Sequence, residues 1–292
     1  MNFTYFNFEK QIDIKGLYTF YYQENNKTFR SAGEKHNFWE IVYVDGGALS
    51  AIADNVGYTL NQGDVIFHKP MEFHIHAANN DKTNNIMIVS FETQSPQMNF
   101  FANKIFSLNI KQKKVLSDFF EYAKQLFNTS FIIRNNTYPE FTREQITAYQ
   151  ICILLLERFL LELIIDNTYT KRKDRQSLDA KKIVETAFSD SIKEYLDENI
   201  CTSLNLDAIA NHFNVSKSFL CQLFKNETNH SIIDYFIDLK ISTAKSMIRE
   251  GNLNLTQISE RLNYSSIHDF TRSFKKKVNM SPSQYRSSIT RS

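Results

Sequence analysis

Residues 258–286 read Ile258-Ser-Glu-Arg-Leu-Asn-Tyr-Ser-Ser-Ile-His-Asp-Phe-Thr-Arg-Ser-Phe-Lys-Lys-Lys-Val-Asn-Met-Ser-Pro-Ser-Gln-Tyr-Arg286. The pattern is a short helix, a tight turn and a second helix with two unlike faces. Phe270 and Phe274 are four residues apart, so they share one side of a helix and can form a small core with Leu262 and Val278. The other side carries His268, Thr271, Arg272 and Lys275, with Ile267 and Lys276 completing the candidate contact set. These polar side chains can reach phosphates or base edges. Ser281-Pro282 supplies an N-cap and a proline at the first helical position, so one more short helix is expected. Two short helices with a basic outer face on the second form a helix-turn-helix, which points to DNA.

A second copy lies about fifty residues upstream. Asn205 can cap a helix built on Leu206, Ile209, Ala210 and Phe213, and Ser216 can cap the next. There Leu220, Leu223 and Phe224 face inward, leaving Lys217, Ser218, Cys221, Gln222 and Lys225 as the outward candidates for DNA contact. The repeat aligns Gln222 with Arg272, Phe224 with Phe274 and Lys225 with Lys275. Between the copies, Ile232 to Arg249 reads as one long helix opened by Ser231 and closed near Gly251. At 1.5 Å per residue it spans roughly 27 Å, comparable with the ~34 Å between successive major-groove faces of a duplex.

These motifs resemble the AraC/XylS family of bacterial transcription regulators. Ile258-Ser259, Phe274-Lys275-Lys276 and Ser281-Pro282-Ser283-Gln284-Tyr285-Arg286 are similar to that family's second motif, and Leu206 through Phe224 with Tyr235 and Ile241 to its first. The resemblance covers roughly residues 180–290. It departs from the family at the turns, where Asn229, Asn263 and Asn279 stand for glycine, and at Ser259 and Asp269, where alanine and tyrosine are usual. Asparagine tolerates positive φ, so the turns are expected to survive. Asp269 instead places a carboxylate where phosphates would be repelled.

Charge distribution agrees. From Asn214 onward the chain has twelve Lys/Arg against six Asp/Glu, a net of +6, whereas the whole chain carries +2. A basic C-terminal third suits a phosphate-facing module. The N-terminus lacks a basic region followed by an apolar run, so no secretory signal is expected. The most apolar stretch, Ile151 to Ile165, is broken by Glu157, Arg158 and Glu162, so no membrane span is expected. Three cysteines, at 152, 201 and 221, lack metal or disulfide spacing, and a reducing cytoplasm is the simplest setting.

Residues 1–105 read as strands: Trp39–Asp45, Tyr58–Leu60, Asp64–Phe67, Phe73–His76 and Ile86–Phe91, with turns at 45–47, 61–64 and 78–81. Such spacing suggests a sandwich or barrel. Gly63-Asp64 with Pro70 and His74 resembles the second motif of the cupin barrel, and Glu34-x-His36-x-x-x-Glu40 with Gly47 the first. In the AraC family this domain binds a small effector, so the resemblance implies a pocket lined by His36, Phe38, Glu40, Phe73 and His74. Carboxylates, imidazoles and aromatics favour a sugar or polyol. Arg30, Lys35 and Lys69 are the only nearby cations and are read as outward, which disfavours an anion. No cofactor is expected. If the barrel held a metal, strand alternation would bring Glu34, His36 and Glu40 together with His74 as its ligands.

Lys111 to Asn128 and Arg143 to Asp166 have helical apolar periods. The second is apolar nearly all round, so it calls for cover by the barrel and by a second copy of the chain, that is, a homodimer. Residues 167–178 are polar, basic and aperiodic, as in a linker.

The expected fold is therefore α+β and multidomain. A cupin-like β-barrel for effector sensing (1–105) is followed by a helical dimerisation region (106–166), the linker (167–178) and an all-α DNA-binding domain (179–292). In that domain helix-turn-helix motifs at about 205–228 and 254–278 are joined by the long helix. The expected partners are promoter DNA, a small effector, a second copy and RNA polymerase, with no enzymatic activity. The rival reading is a metal-dependent cupin enzyme with a helical appendage.

Overall fold

Antiparallel strands occupy the first third of the chain: β1 (Ile14–Asn25), β2 (Trp39–Ala53), β3 (Val56–Asn61), β4 (Asp64–His68), β5 (His74–Ala78), β6 (Asn84–Thr93) and β7 (Lys104–Ser107). The computed structural model describes residues 3–31, 33–79, 83–127, 130–132 and 141–289. β2 organises the sheet. Its first half pairs with β6 and β4, and its second half, from Ala48 to Ala53, pairs with β3 and β5.

The turn expected at 45–47 is instead the point where β2 changes partners without ending. The register against β6 shifts between Val44 and Gly46, and Gly47 takes φ 73°. A Cβ there would sit 2.2 Å from the Thr83 carbonyl oxygen, so only glycine lets the strand bend and stay paired. The turn expected at 78–81 lies partly outside the described residues, and Ala78 itself belongs to β5. β1 has no counterpart among the strands read from sequence. It pairs along β6 from Ile14 to Asn25 and carries the short β8 (Ser130–Ile132) on its other edge.

Helices α1 (Ile110–Phe127) and α2 (Arg143–Asp166) match the expected spans to within a residue. A Thr142/Gln145 capping box starts α2, and Asn167 in the left-handed region ends it. Phe119, Leu156, Phe159 and Leu160 from these helices share a core with Phe20, Phe67, Phe91, Phe101 and Phe106 from the sheet. Glu157, in the middle of that apolar stretch, is buried and accepts from Lys10 Nζ and Ile14 N, both at 3.1 Å. No described helix is long and apolar enough to cross a membrane.

The segment 167–178 is not a free linker. Thr170–Lys171 forms β9 against β7, and a 3-10 turn follows over Arg172–Arg175. Arg172 is buried on Glu72, and Arg175 donates to Asp64 Oδ2 at 2.7 Å. Both bonds reach partners far back in the chain, which local composition cannot reveal.

The chain divides into two compact units, Met1–Val184 and Glu185–Ser292, with the boundary inside α3 (Leu178–Glu198) rather than at 178/179. The reason is that the start of α3 packs against the sheet: Lys181 lies where a Cβ on Gly57 would be, and Ala180 and Val184 are buried.

The second unit is all helical: α4 (Leu206–His212), α5 (Lys217–Thr228), α6 (Ile232–Glu250), α7 (Leu255–Arg261), α8 (Ile267–Val278) and α9 (Pro282–Ile289). Side-chain oxygens of Asn205, Ser216, Ser231, Asn254 and Ser266 each cap a helix start. Asn229, Asn263 and Asn279 take φ 59°, 52° and 61°, the conformation for which glycine is usual. Phe270, Phe274, Ile258 and Leu262 pack with Ile241, Ala244 and Ile248 of α6, and Val278 packs on this core.

Candidate nucleic-acid interface and sheet cavity

α5 and α8 are built alike. Each has twelve residues, a serine N-cap, an asparagine in the left-handed region after its last turn, and two phenylalanine or leucine rows buried inward. Lys217, Ser218, Gln222 and Lys225 of α5 are exposed, and Cys221 is half-buried between them. On α8, His268, Arg272, Lys275 and Lys276 are exposed, whereas Thr271 is half-buried and Ile267 leans on the α6–α8 core. Lys277 falls outside this face because it pairs with Asp238 at 2.7 Å. Lys217 pairs with Asp207 at 2.9 Å on the surface.

Asp269, the departure from the family pattern, is not an isolated charge. Its Oδ1 accepts from Arg272 Nη2 at 2.7 Å and its Oδ2 from Ser265 Oγ at 3.1 Å. The carboxylate therefore holds the guanidinium one turn along the helix, and the pair is neutral overall.

In the first unit a cavity of about 310 Å³ opens on the sheet. Of the expected effector residues, His36, Phe38 and Glu40 line it; His74 does not, but pairs with Glu40 at 3.2 Å behind the lining, which His76 joins instead. Phe73 does not line it: on the approach to β5 it alternates with His74, and period two turns it the other way. Residues 34–38 are not strand, as alternation would require; Glu34 makes only an isolated bridge to His74, and β2 starts at Trp39. Arg30 lines the cavity instead of pointing outward. Thr19, Tyr21 and Gln23 of β1 complete one wall, a set signalled by their alternation with Phe20 and Tyr22.

Around the floor, one ligand atom from each of Glu34, His36, Glu40 and His74 lies within 4.8 Å of every other. Glu40 is buried and accepts from Ser90 Oγ at 2.9 Å, which in turn accepts from Thr19 Oγ1 at 2.7 Å. Burial would raise the Glu40 carboxyl, but hydrogen bonds from His36 and His74 hold it well below the usual carboxylate range. Lost hydration and then the Glu40 charge raise the Glu34 carboxyl. For His74, burial works downward, yet its bond to Glu40 leaves the imidazole raised overall. Burial, followed by the charge of His74, pushes His76 down to about 3, so that ring stays neutral. Its Nε2 lies 3.2 Å from His68 Nε2, and His68 Nδ1 lies 2.9 Å from Glu72 Oε2.

Residues 209–288 match a family model described as a helix-turn-helix domain. An HTH-type transcriptional regulator of Bacillus subtilis, YfiF, is 24% identical over 95% of this chain and 85% of its own length. The xylose operon regulatory protein of Haemophilus influenzae is 33% identical, but over 32% of this chain and 24% of its own. The solved structure of ToxT from Vibrio cholerae is 15% identical over 93% of this chain and 98% of its own, with a TM-score of 0.31. The second unit thus places the chain among helix-turn-helix DNA-binding transcription regulators. Within that class, this domain is similar to MarA of Salmonella typhimurium, 29% identical over 33% of this chain and 76% of its own length.

Proposed function

We propose that the chain is a sequence-specific DNA-binding regulator in which α4–α5 and α7–α8 are two helix-turn-helix motifs joined by α6. The observation that carries this reading is the matched construction of α5 and α8, each with its polar and basic side chains outward. α6 has 19 residues, about 28 Å at 1.5 Å per residue, a spacer suited to two nearby grooves of one duplex. Lys217, Lys225, Lys275, Lys276 and the helix N-termini supply affinity through phosphates; Ser218, Gln222, His268 and Arg272 supply discrimination at base edges. It acts in the cytoplasm, as a regulator rather than an enzyme.

The first unit senses a small molecule in the cavity, and its sheet is a cupin-like barrel. The volume suits a compact ligand. Carboxylates accept hydroxyl protons, which favours a sugar or polyol, whereas the faces of Phe38 are taken by His36 and Tyr18, with centroids 3.9 and 4.2 Å away. Leu154 and Ile165, three turns apart on α2 and exposed, form the apolar strip through which two copies pair. RNA polymerase is the further partner of such a regulator.

The test is titration of the full chain with promoter-length DNA at several salt concentrations. Steep weakening of binding with salt supports a phosphate-facing interface. Binding of no duplex between 50 and 200 mM salt, the range in which ~6–10 phosphate contacts change affinity ~10³–10⁵-fold, would remove it.

A further inference from the structure

We infer that a recess between the start of β7 and the segment 171–176 binds the phosphate group of a small molecule, held by Lys104, Lys171 and Lys173. The recess has about 410 Å³ and lies wholly within the first unit. Its lining shares no residue with that of the sheet cavity, so the inference stands apart from what the sheet cavity binds.

Positive charge is concentrated here without a counter-charge. Four of the eight lining residues are Lys or Arg, and none is Asp or Glu. Arg172 is neutralised by Glu72, but among the described residues Lys104, Lys171 and Lys173 have no ion-pair partner. Asp174, in the same turn, is exposed and does not line the recess. Lys104 and Lys171 stand directly opposite each other in the β7–β9 ladder. Side chains so placed rise from one face with Cβ atoms ~4.5–5.5 Å apart, where like charges repel. An anion between them turns that repulsion into attraction.

The donors are fixed before any ligand arrives. Lys104 Nζ lies 3.5 Å from the Phe100 ring centroid and 3.9 Å from that of Tyr169. Two aromatic rings, rather than a carboxylate, therefore position the ammonium and leave its charge available. Arg172 uses both Nη groups on Glu72 and the Phe67 carbonyl, while its buried Nε has no hydrogen-bond partner. One N–H in the wall thus lacks an acceptor. Backbone bonds hold the walls together: Arg172 N donates to the Asn103 carbonyl at 2.9 Å, and Ser177 N to the Gly57 carbonyl at 2.8 Å. Gln176 also bridges to Tyr58. A concave, preformed site of this kind suits a small ligand. Three ammonium groups match a phosphate monoester, with a charge of about −1.5 to −2 at neutrality, better than a single carboxylate. Asn103 and Gln176 offer amides to hydroxyls on the rest of the molecule.

The experiment is calorimetric titration of the full-length protein with glycerol 3-phosphate at constant ionic strength, with inorganic phosphate and glycerol as separate arms. One equivalent of a phosphate should bind, and glycerol should not displace it. Tighter binding of the ester names an organic phosphate as the occupant; equal affinity for inorganic phosphate names the free ion. Lys104→Met and Lys171→Gln should each weaken binding at least tenfold. Lys171 is exposed, so its variant keeps the parent melting temperature and separates ligand loss from misfolding. Lys114→Gln makes the same charge change on α1, outside the recess, and should leave the affinity unchanged. No saturable binding of either phosphate overturns the site, as does equal weakening in all three variants. Variants that keep phosphate binding but weaken binding to duplex DNA would assign the lysines to a nucleic-acid backbone and overturn it too.

Discussion

Arg172 Nη1 lies 2.8 Å from Glu72 Oε1, and the two side chains are 4% and 1% exposed. The guanidinium bonds both carboxylate oxygens, Nη2 reaching Oε2 at 3.1 Å, and Nη2 also donates to the Phe67 carbonyl. This fork ties the segment after α2 to the sheet, beside the chain of imidazoles that runs from His68 to the cavity. Removing one partner of such a pair leaves the other charge buried and unpaired. Arg172→Ala should therefore destabilise the first unit by ~3–5 kcal/mol in denaturant unfolding and open 167–178 to trypsin. An unchanged midpoint and cleavage pattern would show that the pair is replaceable by water.

The Asp269–Arg272 pair makes a different statement, about recognition. Arg272→Ala should lower binding to a selected duplex by ~1–3 kcal/mol and binding to random duplex by less. Asp269→Ala removes the carboxylate that orients Arg272, so it should strengthen random binding while narrowing the selected-to-random ratio. Anisotropy titrations on both duplexes read the ratio. Equal losses on both for Arg272→Ala would deny it a base-reading role.

Lys240 ties together elements of the second unit. Its buried ammonium donates to the Leu262 carbonyl at 2.7 Å, where α7 ends, and to the Thr202 carbonyl at 3.0 Å. Burial lowers its pKa, and the two carbonyls are the compensation. Lys240→Met keeps the stem but strands both oxygens, so unfolding should become easier by roughly 2–3 kcal/mol, since bonds to charged groups are worth ~1.5–3. A melting temperature equal to the parent's would contradict this.

The cysteines should separate by reactivity. Cys152 is fully buried in α2, and burial pushes its thiol up to about 12, while Cys201 is exposed and Cys221 half-buried. At pH 8 a thiol reagent should label two cysteines in the folded chain and the third only after unfolding. Rapid labelling of all three would mean that α2 opens readily.

The helical unit was readable because its signals are local. Ser216, Ser231 and Asn205 announce helix starts, Phe270 and Phe274 share one turn of spacing, and asparagine at 229, 263 and 279 accepts the left-handed conformation. The sheet was readable only where alternation was clean. β1 went unread because Tyr18, Tyr21 and Tyr22 blur the two faces: tyrosine serves a cavity wall as well as a core. The true neighbours of Arg172 are settled by Glu72, 100 residues earlier, which no window of sequence contains. Phe73 reads from sequence as stacking surface for the pocket, but period two along the chain puts it on the face opposite His76, which lines the cavity.

The most direct test of the account is selection of the full-length protein on a pool of random duplexes, followed by affinity measurement on the enriched sequences. Two short conserved elements about one helical turn apart, each sensitive to substitution in one of α5 and α8, are the result expected of a paired reader. Enrichment of a single element that depends on α8 alone, or of no sequence at all, would contradict it.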